Sequence, residues 1–299
     1  MKVFLYEHAT CFGDVPESIA VEGLAMYQAL YRGLAKFGEV RSVYAKENFL
    51  SIFERGVSEC DAFIIVAPEN NLTLFNLTKI AERYAFNLGS SSKAIKITSD
   101  KWRLYKKIKR KVNIPKTSKK PLDCKYVVKP RISCGGVDIS LNSEIKKGYI
   151  AQEFIEGKPI SVSVAVGDEI IPLSINEQII ENFEYFGGVV PAKICELEIP
   201  EILDEAIGAV EAIRGLYGYV GVDLILAEQP YVIELNARLT TPAIVFEYVY
   251  GITAGEIVWR NAFDRIEPLQ AKNTCIFKKS CEGEIIAKVG EKCLSMAKL

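Results

Sequence analysis

The stretch Gly218-Tyr-Val-Gly-Val-Asp223-Leu-Ile-Leu-Ala-Glu-Gln-Pro230-Tyr-Val-Ile-Glu234-Leu-Asn236-Ala-Arg238 decides how this chain is read. Two β-favouring runs flank Ala227-Glu228-Gln229-Pro230, which is the composition of a hairpin. A turn centred on Glu228 and Gln229 places Asp223 across from Glu234, and Ile225 across from Val232. The two-residue period of a strand then sets Asn236 beside Glu234 on the same face. Carboxylates about 5 Å apart repel by about 3 kcal/mol at an effective dielectric of about 20, and the apolar Ile225 and Val232 on their face predict partial burial. A bound divalent cation removes that penalty. Two carboxylates and an amide oxygen are hard ligands, suited to Mg²⁺ or Mn²⁺. From the spacing alone, a solvated hairpin face fits as well as a metal site.

The rest of the composition narrows the chemistry. The chain has 299 residues, 49% of them hydrophobic and 25% charged, with a formal net charge of −1. That is enough chain for two or three small domains, and no global field draws it to nucleic acid or an anionic membrane. The opening MKVFLYEHAT lacks a signal peptide's apolar segment and no run of about 18 apolar residues occurs, so a cytoplasmic protein is expected. Cys11, Cys60, Cys124, Cys134, Cys195, Cys275, Cys281 and Cys293 form no CxxC pair and no zinc-ligand spacing, which predicts buried free thiols rather than a disulfide framework. The lone histidine, His8, excludes a His-rich metal site, and any Ser-His or Cys-His pair would have to use it. It follows the apolar run Val3-Phe-Leu-Tyr6 and so falls at the C-terminal end of a strand, where α/β sheets bind ligands; a hydrogen-bonded structural role fits equally.

Residues 2–6 and 39–44 read as strands around a helix over 17–37, a βαβ start. A helix near 47–56, the buried strand Ala62-Phe-Ile-Ile-Val66 and a helix over about 71–86 follow, predicting a small parallel sheet wrapped by helices. There is no GxGxxG, which argues against dinucleotide binding. From Asp100, a plausible N-cap, a helix runs toward Pro115 with Trp102, Tyr105, Ile108 and Val112 on one stripe. Ten basic residues lie between Lys101 and Lys120, read as a solvated helix face rather than a nucleic-acid surface. Strands follow at 125–129, 148–155 and 160–166, the first two separated by Arg131-Ile-Ser-Cys-Gly135-Gly136-Val137, a loop whose N–H groups could meet an anion. A helix over 202–214 precedes the acidic hairpin. The segment beyond Ile266 receives no role.

In order, Ser99-Asp-Lys101, Asn113-Ile-Pro115, Val127-Val-Lys129-Pro130 with Gly135-Gly136, Gln152-Glu-Phe-Ile155, Asp223 and Glu234-Leu-Asn236-Ala-Arg238 resemble the ATP-grasp superfamily of carboxylate–amine ligases across residues 95–268. The resemblance implies an α/β fold with α+β lobes: an N-terminal Rossmann-like pre-ATP-grasp parallel-sheet domain at 1–95, an ATP-grasp small lobe at 96–150, a C-terminal lobe with the metal site at 151–268, and a tail at 269–299. It implies that Lys101 and Lys129 contact ATP phosphates under a loop containing Gly135 and Gly136. Gln152, Glu153, Phe154 and Ile155 form the adenine hinge, with backbone groups of Glu153 and Ile155 on the base. Asp223, Glu234 and Asn236 hold Mg²⁺ or Mn²⁺, two ions per site, and Arg238 with Lys129 supports phosphoryl transfer. The chain departs from the family at Pro159-Ile160, where many members carry an acidic ribose ligand; Glu156 is the substitute considered, and ribose recognition stays open.

Asn176-Glu-Gln178, Tyr185-Phe-Gly187-Gly188 and Pro191 resemble a branch that joins small amino acids to amines, although the glycines alone fit a turn between strands. Together with Tyr6-Glu7-His8 they imply L-glutamate and tyramine as partners, with neither nucleic acid nor membrane; a homo-oligomer is left open. Another acid–amine pair, or a non-catalytic ATP-binding regulator, are the alternatives.

Overall fold

The computed structural model describes every residue except Cys134 and Val137. It opens with β1 (Lys2–Glu7), α1 (His8–Cys11), α2 (Glu17–Leu34), β2 (Glu39–Arg41), α3 (Phe49–Ser58), β3 (Ala62–Val66), α4 (Thr73–Ala81) and β4 (Phe86–Asn87). The strands form a parallel sheet in the order β2-β1-β3-β4. Val3, Phe4, Leu5 and Tyr6 are all fully buried, as expected of a central parallel strand covered on both faces. The helix expected over 71–86 is shorter because Asn71 and Leu72 take left-handed backbone angles, φ 55° and 58°, ahead of Thr73.

Next come α5 (Ser92–Thr98) and α6 (Lys101–Ile108). Asp100 caps α6 as expected, accepting from the Trp102 and Arg103 N–H groups. The expected stripe is rotated: Lys101, Leu104 and Ile108 are the buried residues, and the helix ends before Val112. Trp102 and Tyr105 are only half-buried and stack on each other at 5.7 Å. An aromatic pair can cover itself in this way, so the aliphatic side turns inward. A small antiparallel sheet follows, β5 (Thr117–Ser118), β6 (Tyr126–Pro130), β7 (Ser140–Leu141) and β8 (Tyr149–Glu153), ordered β5-β8-β6-β7.

The remaining elements are β9 (Lys158–Val166), β10 (Ile170–Glu181), β11 (Glu184–Val190), α7 (Ile199–Glu211), β12 (Gly218–Leu226), β13 (Pro230–Asn236), α8 (Phe246–Tyr250), α9 (Ala254–Phe263), β14 (Cys275–Lys278), β15 (Glu284–Val289) and β16 (Lys292–Lys298). Their strands make one antiparallel sheet, β13-β12-β9-β10-β11-β14-β16-β15. The segment without an expected role thus supplies three of its strands. That segment also touches the first unit, where the Glu291 N–H donates to the Glu17 carboxylate of α2 at 3.3 Å.

Two expectations need correction here. Cys281 and Cys293 form a disulfide with a Cα–Cα distance of 4.9 Å, which ties the connection between β14 and β15 to β16. Of the other cysteines, Cys11, Cys60 and Cys275 are buried and free while Cys124 and Cys195 are exposed; Cys134 lies outside the described residues. The pair Gly187-Gly188 lies inside β11 rather than in a turn. A Cβ on Gly187 would stand 2.0 Å from the Phe277 carbonyl oxygen of β14, so only glycine lets these two strands approach.

Candidate active site

Asp223 faces Glu234 across β12 and β13, and Asn236 faces Gly221 two pairs further along, as the hairpin reading requires. The route to that register differs from the expectation. Leu226 pairs with Pro230, Ile225 with Tyr231 and Leu224 with Val232, around the three-residue loop Ala227-Glu228-Gln229. The ladder then slips by one residue between Leu224 and Asp223, with Ile233 the extra residue. This bulge restores the carboxylate pair. Ile225 therefore does not face Val232; the fully buried apolar pair is Leu224 and Val232.

Asp223 accepts from Gln178 Nε2 at 3.0 Å and from Asn236 Nδ2 at 2.8 Å. Burial, and next the charge of Glu234, push its carboxyl up to about 7. Burial also acts to raise the Glu234 pKa, but the charges of Lys101 and Lys129 outweigh it and hold the carboxyl below the usual range. Among the described residues no group of three or more His, Cys, Asp or Glu side chains could hold a metal. The donor set is therefore two opposed carboxylates plus the Asn236 amide. It fits a hard divalent cation, which would relieve both the burial cost and the repulsion that raise Asp223.

Two buried lysines face the acids from other elements. Lys101, in the first turn of α6, places Nζ 2.9 Å from Glu234 Oε1 and 2.8 Å from the Ser133 carbonyl oxygen. Its neighbour Asp100 pairs with Arg131, whose carbonyl accepts the Lys101 N–H at 2.9 Å. Lys129, on β6, is 4% exposed; burial, then repulsion from Lys101, lower its pKa to about 8. Two ammonium groups gathered on two carboxylates balance locally.

Arg238, just beyond β13, forms a two-point pair with Glu69 from the first unit: Nε to Oε1 at 2.8 Å and Nη2 to Oε2 at 3.0 Å. Gly135 and Gly136 both have positive φ, 72° and 74°. A Cβ on Gly136 would stand 2.0 Å from the Phe183 carbonyl oxygen, so the glycine loop rests on the tip of the β10–β11 hairpin. The loop's Cys134 and Val137 lie outside the described residues.

The hinge residues bridge the small and large sheets. Gln152 is buried and gives Nε2 to Thr117 Oγ1 at 3.1 Å. The Glu153 N–H donates to the Lys116 carbonyl at 2.8 Å and the Phe154 N–H to the Lys125 carbonyl at 2.9 Å. The Phe154 ring lies under Lys125 Nζ at 4.3 Å and meets the Phe183 ring edge-on at 6.5 Å. Ile155 is half-buried in the link to β9, and Glu156 beside it is exposed.

Glu69 gives no signal in the sequence, whereas Asn176 and Gln178 read there only as part of a branch motif. Gln178 reaches Asp223 only because β10 lies two strands from β12, and Glu69 reaches Arg238 from a separate sheet. Asn176 is fully buried, donating to Ser161 Oγ and Ser163 Oγ and so tying β10 to β9. His8 sits just past the end of β1 as expected, stacked on Phe12 at 5.1 Å with Nδ1 3.1 Å from the Tyr6 hydroxyl, and burial lowers its pKa. No helix is long and apolar enough to cross a membrane among the described residues.

This geometry matches known proteins along almost the whole chain. Residues 98–242 match the ATP-grasp domain and residues 29–95 the pre ATP-grasp 3 domain. The chain is 36% identical over 287 residues to the tyramine–L-glutamate ligase of Methanocaldococcus fervens, covering 87% of this chain and 94% of that protein. It is 35% identical to the Methanocaldococcus jannaschii enzyme of the same name, over 87% of this chain and 89% of that one. The crystal structure of an ATP-grasp superfamily protein from Archaeoglobus fulgidus superposes with a TM-score of 0.91 at 43% identity, covering 100% of this chain and 99% of that one. Both domain matches and the relatives that span nearly all of the chain agree: the chain belongs to the ATP-grasp family of ATP-dependent carboxylate–amine ligases.

Proposed function

We propose that this ligase joins the γ-carboxylate of L-glutamate to the amine of tyramine, giving γ-glutamyltyramine, ADP and phosphate, a step of methanofuran biosynthesis. The observation that carries the chemistry is the pair Asp223 and Glu234, opposed in one hairpin with the buried ammonium groups of Lys101 and Lys129 against them. In the proposed sequence a γ-carboxylate oxygen attacks the γ-phosphorus of ATP and ADP departs, leaving an acyl phosphate. The tyramine nitrogen then attacks the acyl carbon, phosphate leaves, and the nitrogen loses its extra proton. Neither step needs a protein nucleophile, which suits a chain with one histidine. Lys101 and Lys129 bind the phosphates, Arg238 stabilises charge on the transferred group, and the hinge from Gln152 to Ile155 holds the adenine. Asp223, Glu234 and Asn236 would hold Mg²⁺ or Mn²⁺, which supplies charge neutralisation at the β- and γ-phosphate oxygens when bound. The substrate pair rests on the two tyramine–L-glutamate ligases, each at least 35% identical to this chain.

The test is a matrix of amino acids against amines with ATP and Mg²⁺ or Mn²⁺, following ADP release and product mass. L-Glutamate with tyramine should give a product equal to their sum less one water, and neither alone should sustain turnover. Tyramine should be preferred to a simple alkylamine, since burying its ring contributes about 2 kcal/mol. A different pair reacting about tenfold faster in kcat/KM overturns the substrate assignment and leaves the chemistry standing. ATP binding without turnover of any pair overturns the ligase reading in favour of a regulator.

A further inference from the structure

The reading of this chain as an amino-acid ligase leaves open what holds the amino acid. Beside the acidic hairpin lies a second polar group that ATP and metal do not account for. Lys279, one residue past β14, places Nζ 2.5 Å from Glu22 Oε1 of α2. Their side chains are 24% and 16% exposed, so the pair is reachable from solvent but largely shielded. Hydrogen bonds fix both ends. The Lys279 N–H donates to the Phe186 carbonyl of β11 at 2.9 Å, and Thr241 Oγ1 donates to Glu22 Oε2 at 3.1 Å, three residues beyond Arg238. Tyr185 lies close to this pair and within the field of Asp223. Lys279 Nζ lies 5.8 Å from its ring centroid, and its hydroxyl lies within the fields of both Glu22 and Asp223. That hydroxyl is buried with no hydrogen-bond partner among the described residues. A buried hydroxyl rarely goes unpaired unless a ligand or water completes it.

We propose that Glu22 and Lys279, with the Tyr185 hydroxyl, form the clamp for the main-chain charges of the amino-acid substrate: Glu22 takes the α-ammonium, Lys279 the α-carboxylate, and Tyr185 supplies a hydrogen bond. In the free protein the two charges satisfy each other. A zwitterion replaces that single pair with two, so nothing charged is left unpaired on entry, and a substrate carrying only one charge strands the opposite partner. The amino acid's side-chain carboxylate is then directed toward Asp223 and Glu234, where ATP is activated, while its main-chain groups are kept from reacting.

This inference rests on the ligase reading, and the experiment separates the two. With ATP, Mg²⁺ and tyramine, the wild-type protein is compared on L-glutamate, on glutarate, which lacks the α-ammonium, and on 4-aminobutyrate, which lacks the α-carboxylate. L-Glutamate should win by at least about tenfold in kcat/KM over each. Glu22→Gln should erase the preference over glutarate, and Lys279→Met the preference over 4-aminobutyrate. Both should raise the KM for L-glutamate at least about tenfold with the KM for ATP within about twofold. Tyr185→Phe should reduce both preferences with the fold intact, and it decides the matter alongside Glu22→Asp and Lys279→Arg if either charge-deleting variant does not fold. Discrimination unchanged in folded variants overturns the clamp while wild-type turnover keeps the ligase reading alive. A wild-type protein with no turnover on any amino acid overturns the ligase reading, and the clamp with it.

Discussion

Two hairpins of the large sheet meet at Asp223, and they were built on different principles. In β12–β13 the chemistry belongs to the side chains themselves: Asp223, Glu234 and Asn236 announce a charge problem wherever the strands pair. In β10–β11 the residues are ordinary one by one. Gln178 matters through its 3.0 Å hydrogen bond to Asp223, Tyr185 through Lys279 and Glu22, and Phe183 through its contact with Gly136. The first hairpin carries charge and the second arranges what surrounds it. Active groups are visible as types, whereas their supports are visible only as neighbours.

The comparison can be broken at its strongest point first. Glu234→Gln or Asp223→Asn should cut turnover at least about a hundredfold, about 3 kcal/mol of barrier, because each halves the anionic charge of the metal donor set. Magnesium should also stop raising the melting temperature in these variants. A variant keeping more than about a tenth of wild-type kcat at saturating metal would return this hairpin to a solvated face. Next is Lys129→Met, which keeps the buried stem and deletes the ammonium. ATP affinity by calorimetry should drop about tenfold or more together with kcat, and unchanged affinity would remove Lys129 from the nucleotide site.

The supporting hairpin is probed more gently. Gly187→Ala should cost about 2–3 kcal/mol of stability in a denaturant titration, since the new methyl collides with the Phe277 carbonyl and must part β11 from β14. Stability within about 0.5 kcal/mol of wild type would mean the two strands are not held so closely. The smallest effect is expected from Gln178→Ala. It removes one donor from Asp223 and should raise the apparent Kd for Mg²⁺ about tenfold, with the KM for tyramine unaffected. A loss equal to that of Asp223→Asn would erase the distinction between charge and support.

Much of the fold was legible because its signals were local. β1 and β3 read as buried runs, Asp100 as a cap and Asp223–Glu234 as a pair, and each was resolved within a few residues. Two local errors even cancelled, since the loop is one residue longer than expected and the bulge at Ile233 restores the register. What escaped was set by distant partners. The segment after Ile266 has a mixed composition because its strands share a sheet edge with β11 and lean on α2, and neither neighbour can be inferred from its own period. The Cys281–Cys293 bridge escaped for the same reason, as no CxxC spacing marks a connection that returns to a strand not recognised in the sequence. Lys101 stood in a basic run that reads as a solvated face, yet it is 6% exposed because the acid it serves lies on another sheet.

The return of the last strands onto α2 also sets an order of assembly. On a ribosome the parallel sheet and the acidic hairpin emerge before β14, so Glu22 would wait on an unfinished surface until Lys279 and the β15–β16 hairpin arrived. A chain interrupted between Arg238 and Lys279 would already hold Lys101, Lys129, Asp223, Glu234 and Arg238 but lack Lys279 and the outer strands of its largest sheet. The proposed clamp is therefore assembled only after β14 has joined the large sheet and brought Lys279 to Glu22.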